Sequence, residues 1–176
     1  MTHIYISLGY NCSPRESIKY SFGLNKENGY LTCPFDLCIT HFDSLYNCIE
    51  TDFKYFFDDL RLTPDLIEGE DITNCNIHSK TITNYYNIYF NHESAIHSNL
   101  FKISRDDDLF YIRNNFEEFK KRYSLRIENF RYYINNYDNI TFIYKNYDDS
   151  NKNNLEKLKN LLYKKYNNKN INIIVI

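Results

Sequence analysis

The sequence predicts an α/β fold, a mostly parallel sheet covered by helices, in one domain spanning residues 1–176. Three observations carry that expectation. Residues 140–144, the amphipathic run 153–166 and residues 171–176 read as strand, helix, strand, and units of these lengths favour right-handed parallel crossovers. Residues 3–8 and the segment after them repeat the beginning of that pattern as strand, turn, helix. Finally, a length of 176 residues with 43% hydrophobic and 25% charged side chains suits one globular core.

The elements follow in order. Residues 3–8 are rich in Ile and Tyr and alternate loosely, so they form a strand. Gly9-Tyr10-Asn11-Cys12 is a tight turn. Ser13-Pro14 opens a helix, since Ser is a good N-cap and Pro suits the first helical position; Ile18 and Phe22 share one face, and Gly23 ends it. Residues 25–32 are a polar loop. Asp36 caps a helix over 37–50, with Phe42, Leu45 and Ile49 inward. Phe53, Tyr55, Phe56 and Phe57 pack on its end. Short strands are expected near Ile82 and over 86–90, the latter running into Asn91-His92. A long helix is expected over 107–135, where Leu109, Ile112, Phe116, Phe119, Tyr123, Ile127, Phe130 and Ile134 recur at steps of three or four. Asp106, Asp107 and Asp108 sit at its start, where the helix dipole favours them. In the terminal unit Leu155, Leu158, Leu161 and Leu162 line one face of the helix.

Composition narrows the function classes. A net charge of −2 gives no basic surface for nucleic acid. No apolar run approaches the roughly 20 residues of a bilayer span, and the N-terminus reads as a strand in place of a signal peptide. The 18 Tyr and 13 Phe, alongside abundant Asn, Ile and Lys, reflect an AT-rich genome and supply a large apolar payload per side chain. Five cysteines, an odd number, point to a reducing compartment, so the cytoplasm is the expected location.

Cys12 is the leading candidate for chemistry. It lies between a strand's carboxyl end and a helix N-terminus, where open α/β sheets bind ligands. The unpaired amides there lower a thiol's pKa, and backbone N–H groups can hold an oxyanion. Packing behind the turn is its structural alternative. Cys-x5-Arg phosphatase chemistry is excluded, since Ile18 occupies the Arg position and Arg15 is three residues too early. The turn also lacks the glycines and Lys of a P-loop. A Cys nucleophile needs a base, and the candidates are His3, His41, His78, His92 and His97. His92, directly after a strand, is best placed. Asp36 is the acidic candidate, orienting a His or binding substrate, alongside its capping role. Cys38-x-x-His41 and Cys75-x-x-His78 have zinc-like spacing without a knuckle glycine, so no metal or other cofactor is assigned. The basic residues from Lys120 to Arg131 read mainly as a solvated helix face.

Ser7-Leu8-Gly9-Tyr10-Asn11-Cys12, followed by Pro34-Phe35-Asp36, resembles a family of papain-like cysteine peptidases found in bacteria and large DNA viruses. The resemblance runs nearly end to end. It implies Cys12 as nucleophile, His92 as its His, Asp36 as a site residue, and Arg122 and Arg126 as counterparts of an arginine-rich helix. Leu37 stands where the family has Trp, and Glu93 where Asp commonly follows the His. A papain-like α+β fold, with the His on a mostly antiparallel sheet, is what the resemblance implies beside the parallel reading.

The expected function is therefore a cysteine-dependent hydrolase of a peptide, protein or small amide. Cys12, His92 and Asp36 would be catalytic, and Gly9, Asn11, Arg122 and Arg126 would contact substrate. Two alternatives stand beside it: a viral or bacterial binding module engaging a host protein, and an enzyme for a phosphate or nucleotide ligand at the same turn.

Overall fold

The computed structural model describes residues 2–64, 80–94, 97–103, 110–145 and 152–176. Its centre is a three-stranded parallel sheet in the order β1 (His3–Gly9), β7 (Asn139–Lys145), β8 (Asn170–Val175). Strand β7 lies between the other two, and its five residues from Ile140 to Tyr144 are all buried. That unbroken burial is what a central parallel strand requires, because both of its faces are covered. Helix α4 (Lys152–Lys165) joins β7 to β8 and buries Leu158 and Leu162. The terminal strand-helix-strand unit is thus parallel, as the sequence predicts.

Strand β1 and α1 (Ser13–Phe22) form the second expected unit, with Gly23 in the left-handed conformation closing α1 at φ 67°. Gly9 ends β1 where the chain meets β7 closely. A Cβ there would stand 2.8 Å from the Lys145 backbone N and O, and its φ of +150° disfavours a side chain as well. The close approach is sealed by Tyr10 N–H donating to Lys145 O at 3.1 Å.

A second, antiparallel sheet contains β2 (Arg61–Pro64), β3 (Lys80–Thr83) and β4 (Tyr89–Phe90). The parallel and antiparallel sheets share one apolar core. Helix α2 (Phe42–Glu50) contributes Leu45, Cys48 and Ile49 to it, and α3 (Glu117–Asn136) contributes Phe119, Tyr123, Ile127, Phe130, Tyr133 and Ile134. The aromatic richness of the sequence is spent here. Phe90, Phe119 and Tyr123 stack or meet edge-on within 4.8 Å between centroids, and Phe35, Phe53 and Phe130 form a second knot within 6.3 Å. No helix among the described residues is long and apolar enough to cross a membrane.

Three expectations need correction. The long helix starts at Glu117, ten residues later than its periodicity suggests, and residues 107–109 lie outside the described residues. Instead β6 (Phe110–Ile112) pairs with β5 (Phe101–Ile103) in a hairpin that the sequence reading missed. Asn114, Asn115 and Phe116 then adopt left-handed φ of 52°, 47° and 67°, which no α-helix tolerates. The helix predicted over 37–50 starts at Phe42, with His41 at its N-cap, so Asp36 does not cap it. The strand predicted over 86–90 is only Tyr89–Phe90, because Asn84 Oδ1 accepts from Tyr86 N and Ile88 N and bends the chain before it.

Candidate active site

Cys12 occupies the N-cap position of α1, directly beyond the carboxyl end of β1. Local chemistry builds this turn. Asn11 Oδ1 accepts from Ser13 N–H at 3.0 Å, satisfying one of the amides that a helix start leaves open. Pro14 supplies the first-turn φ without needing a partner for an N–H. Cys12 O then accepts from Glu16 N at 3.0 Å, so the residue is joined to the helix. The cysteines differ sharply in access. Cys12 is half-exposed, whereas Cys33, Cys38 and Cys48 are buried, and burial pushes the thiols of all three well up. Cys75 lies outside the described residues.

Two neighbouring segments converge on the turn. Thr40 N–H donates to Tyr10 O at 3.1 Å, and Ile39 exchanges backbone hydrogen bonds of 2.7 and 3.0 Å with Tyr89. Residues 33–41 are therefore pinned between the Cys12 turn and β4. The ring of His41 lies 5.9 Å from that of Tyr10 and 6.5 Å from that of Tyr89, bridging the two sides. Three residues beyond Tyr89, His92 sits exposed in the short 3-10 turn Asn91–Glu93. It lies within electrostatic reach of Glu16 in the first turn of α1, and of His97 and Arg126. Partial desolvation first, then His97, pull its pKa below the usual imidazole value, so the ring stays neutral into mildly acidic solution.

Asp36 is fully buried beneath the turn. Its Oδ2 accepts from Cys33 N at 2.8 Å, its Oδ1 from the Tyr30 hydroxyl at 3.3 Å, and Arg15 Nε of α1 lies 3.9 Å away. Burial outweighs these contacts and raises its pKa to about 6. These partners tie Asp36 to the 30–36 loop and to α1, so it helps to fix how α1 sits against that loop. A consequence is testable by pH. A raised carboxyl pKa favours the folded state below the unfolded value of 3.8, and that contribution is lost as pH rises through about 6. Wild type should lose about 2–3 kcal/mol between pH 4 and 7 relative to Asp36→Asn. Urea denaturation of both proteins across that range checks it, and parallel curves would refute it.

The arginines expected to contact substrate are engaged with Glu93, the residue after His92. Glu93, only 2% exposed, accepts from Arg122, from Arg126 at 3.4 Å and from Ser98 Oγ at 2.7 Å. Arg122 also donates to Asn99 Oδ1 at 2.9 Å. The sequence reading passed over this cluster, treating Glu93 only as a departure from a motif and Arg122 and Arg126 as substrate contacts on a largely solvated helix face. The i, i+4 spacing of Arg122 and Arg126 was the available signal. Lys145, at the carboxyl end of β7, was also missed; its Nζ donates to Ser13 Oγ at 3.1 Å, placing a cation beside the turn. Of the zinc-like pairs, Cys38 is buried with its Sγ toward Pro34 O, while Cys75 and His78 lie outside the described residues. Among the described residues no group of three potential ligands assembles.

Residues 3–176 match the model of a family described as "putative papain-like cysteine peptidase". The chain belongs to this family. No curated protein and no solved structure matches it. The family match runs through the parallel and antiparallel sheets, the Cys12 turn and the His92 segment. The resemblance and the sequence patterns each describe part of that architecture. Helix α1, with Cys12 at its N-cap, follows a parallel strand, as the periodicities indicate, while His92 follows a strand of the antiparallel sheet, as a papain-like arrangement implies.

Proposed function

We propose that this protein is a cysteine-dependent amide hydrolase in which Cys12 is the nucleophile and His92 the general base. The observation that carries the reading is the contrast among the thiols: Cys12 alone of the four described cysteines is accessible, and it stands at a helix N-terminus. His92 supports it, since a neutral imidazole is the form that accepts a proton. In the proposed reaction His92 takes the Cys12 proton and Sγ bonds to the substrate's carbonyl carbon. The tetrahedral intermediate collapses, the C–N bond breaks, and the amine leaves with the proton from the imidazolium. Water, activated by the same ring, hydrolyses the thioester and restores the thiol.

The oxyanion donors cannot all be first-turn amides, because Ser13 N–H is held by Asn11 and Pro14 has none. The Asn11 side chain, fixed by that bond, is assigned as a side-chain donor beside Cys12. Asp36 acts by positioning α1. The substrate is a peptide, protein or small amide.

The test is the pH dependence of alkylation at Cys12, read by mass spectrometry against the other thiols. A midpoint well below the free-thiol value of about 8.5 is expected, moving upward in His92→Ala. A midpoint at or above that value, or labelling only after unfolding, would overturn the assignment and favour a binding module.

A further inference from the structure

Beside the Glu93 cluster lies a cleft of about 530 Å³ between α3 and the loop that leads to Asp36. Lys26, Arg122 and Arg126 all line it, and among the described residues no carboxylate does. Its neutral walls include the buried Tyr30 and the exposed Leu31 and Leu125. The cleft is preformed. Asn129 Nδ2 donates to Thr32 O at 2.9 Å, and Leu31 N donates to the Tyr133 hydroxyl at 2.6 Å, so α3 holds the opposite wall at a fixed distance. On the far side the Arg15 guanidinium stacks on the Tyr30 ring at 4.0 Å.

The charge balance is uneven. Arg122 and Arg126 share the carboxylate of Glu93, and Arg126 retains a buried Nη1 with no acceptor among the described residues. Lys26, on an exposed turn, adds a third cation. Guanidinium groups on one wall and an ammonium on the other match an oxyanion held between them. The volume exceeds that of a bare ion and falls within the range of small-ligand pockets.

We infer that this cleft binds the anionic end, a carboxylate or phosphate, of a small ligand whose short apolar body rests on Leu31 and Leu125. The inference stands apart from the chemistry of Cys12. If the hydrolase reading holds as well, the cleft selects substrates that carry an acidic group.

Calorimetric titration of the full chain with glutarate and with inorganic phosphate tests it, with neutral glutaramide as control. Binding of either anion is expected, weakening as salt is raised. The tighter of the two identifies the source as a carboxylate or a phosphate. Lys26→Glu and Leu125→Glu, both at exposed positions, should each weaken binding by about five- to tenfold. Lys121→Glu, an equal charge change on α3 outside the cleft lining, and Cys12→Ala should retain it. Absence of binding by both anions, binding of glutaramide as tight as that of glutarate, or equal weakening in Lys26→Glu and Lys121→Glu would overturn the inference. Retained anion binding in an inactive Cys12→Ala separates this site from the catalytic reading.

Discussion

Replacing Glu93 by Ala should destabilise the protein by about 3–5 kcal/mol, the cost typical of removing one partner from a buried ion pair. The Glu93 carboxylate is almost wholly enclosed and receives Arg122, Arg126 and the Ser98 hydroxyl. Arg126 is the more exacting partner, because its side chain is only 11% exposed and its guanidinium also lies 4.4 Å from the Tyr123 ring centroid. Without Glu93 that largely buried cation, at the edge of the cleft, loses its paired carboxylate. Glu93→Gln keeps the shape and part of the hydrogen bonding, so it should cost less, about 1–3 kcal/mol. The pair Glu93→Gln with Arg126→Met should recover part of the loss, since it removes both charges together. Urea denaturation with an unchanged slope measures all three. A loss under about 1 kcal/mol for Glu93→Ala would mean that the cluster is hydrated like a surface pair. The effect reaches the candidate site as well. Glu93 raises the neighbouring His92 pKa, so its removal should lower that value further, an outcome visible in an NMR titration of the ring.

The parts of this molecule legible in its sequence are those fixed by neighbours in the chain. Gly9 through Pro14 carry their own turn and cap, and the leucines of α4 declare its buried face, so β1, α1, β7, α4 and β8 follow from local patterns. The start of α3 was not legible. Ile112 and Phe116 continue the helical spacing of Phe119 and Tyr123, yet Ile112 belongs to a hairpin and Phe116 to a left-handed turn. Asn-Asn before Phe116 was the available warning, as Asn visits that conformation more readily than most residues. Asp36 illustrates a different limit. A carboxylate ahead of a helical pattern reads as a cap, and only the tertiary fold shows Tyr30, Cys33 and Arg15 gathered around it. The Glu93 pairings span 29 and 33 residues of sequence, and nothing in local periodicity encodes such a distance. Cys12 was found because a strand-turn-helix with a thiol at its corner is a local pattern with a chemical meaning. The shielding of three other thiols that makes it distinctive is a property of the packed core.

Cys12→Ala should abolish amide hydrolysis, lowering kcat by about 10⁴–10⁶-fold, as loss of a nucleophile does in enzymes that pass through an acyl intermediate. The fold should survive the change. Cys12 makes no side-chain capping bond, and the cap of α1 is supplied by Asn11 Oδ1 on Ser13 N–H. Its half-exposed side chain leaves no core cavity, so the stability change should stay under about 1 kcal/mol. Asn11→Ala separates the two roles of this turn. It should cost about 1 kcal/mol of stability through the lost cap and also reduce kcat through the lost oxyanion donor. Loss of stability with kcat intact would confine Asn11 to capping. The pH profile completes the test. Because partial desolvation and the neighbouring His97 lower the His92 pKa, the acid limb of kcat/KM should fall below pH 6.5, the ordinary imidazole value. His92→Ala should remove that limb along with most of the rate. A screen of amide and ester substrates in which wild type and Cys12→Ala turn over equally would end the hydrolase reading and leave the turn as a binding surface.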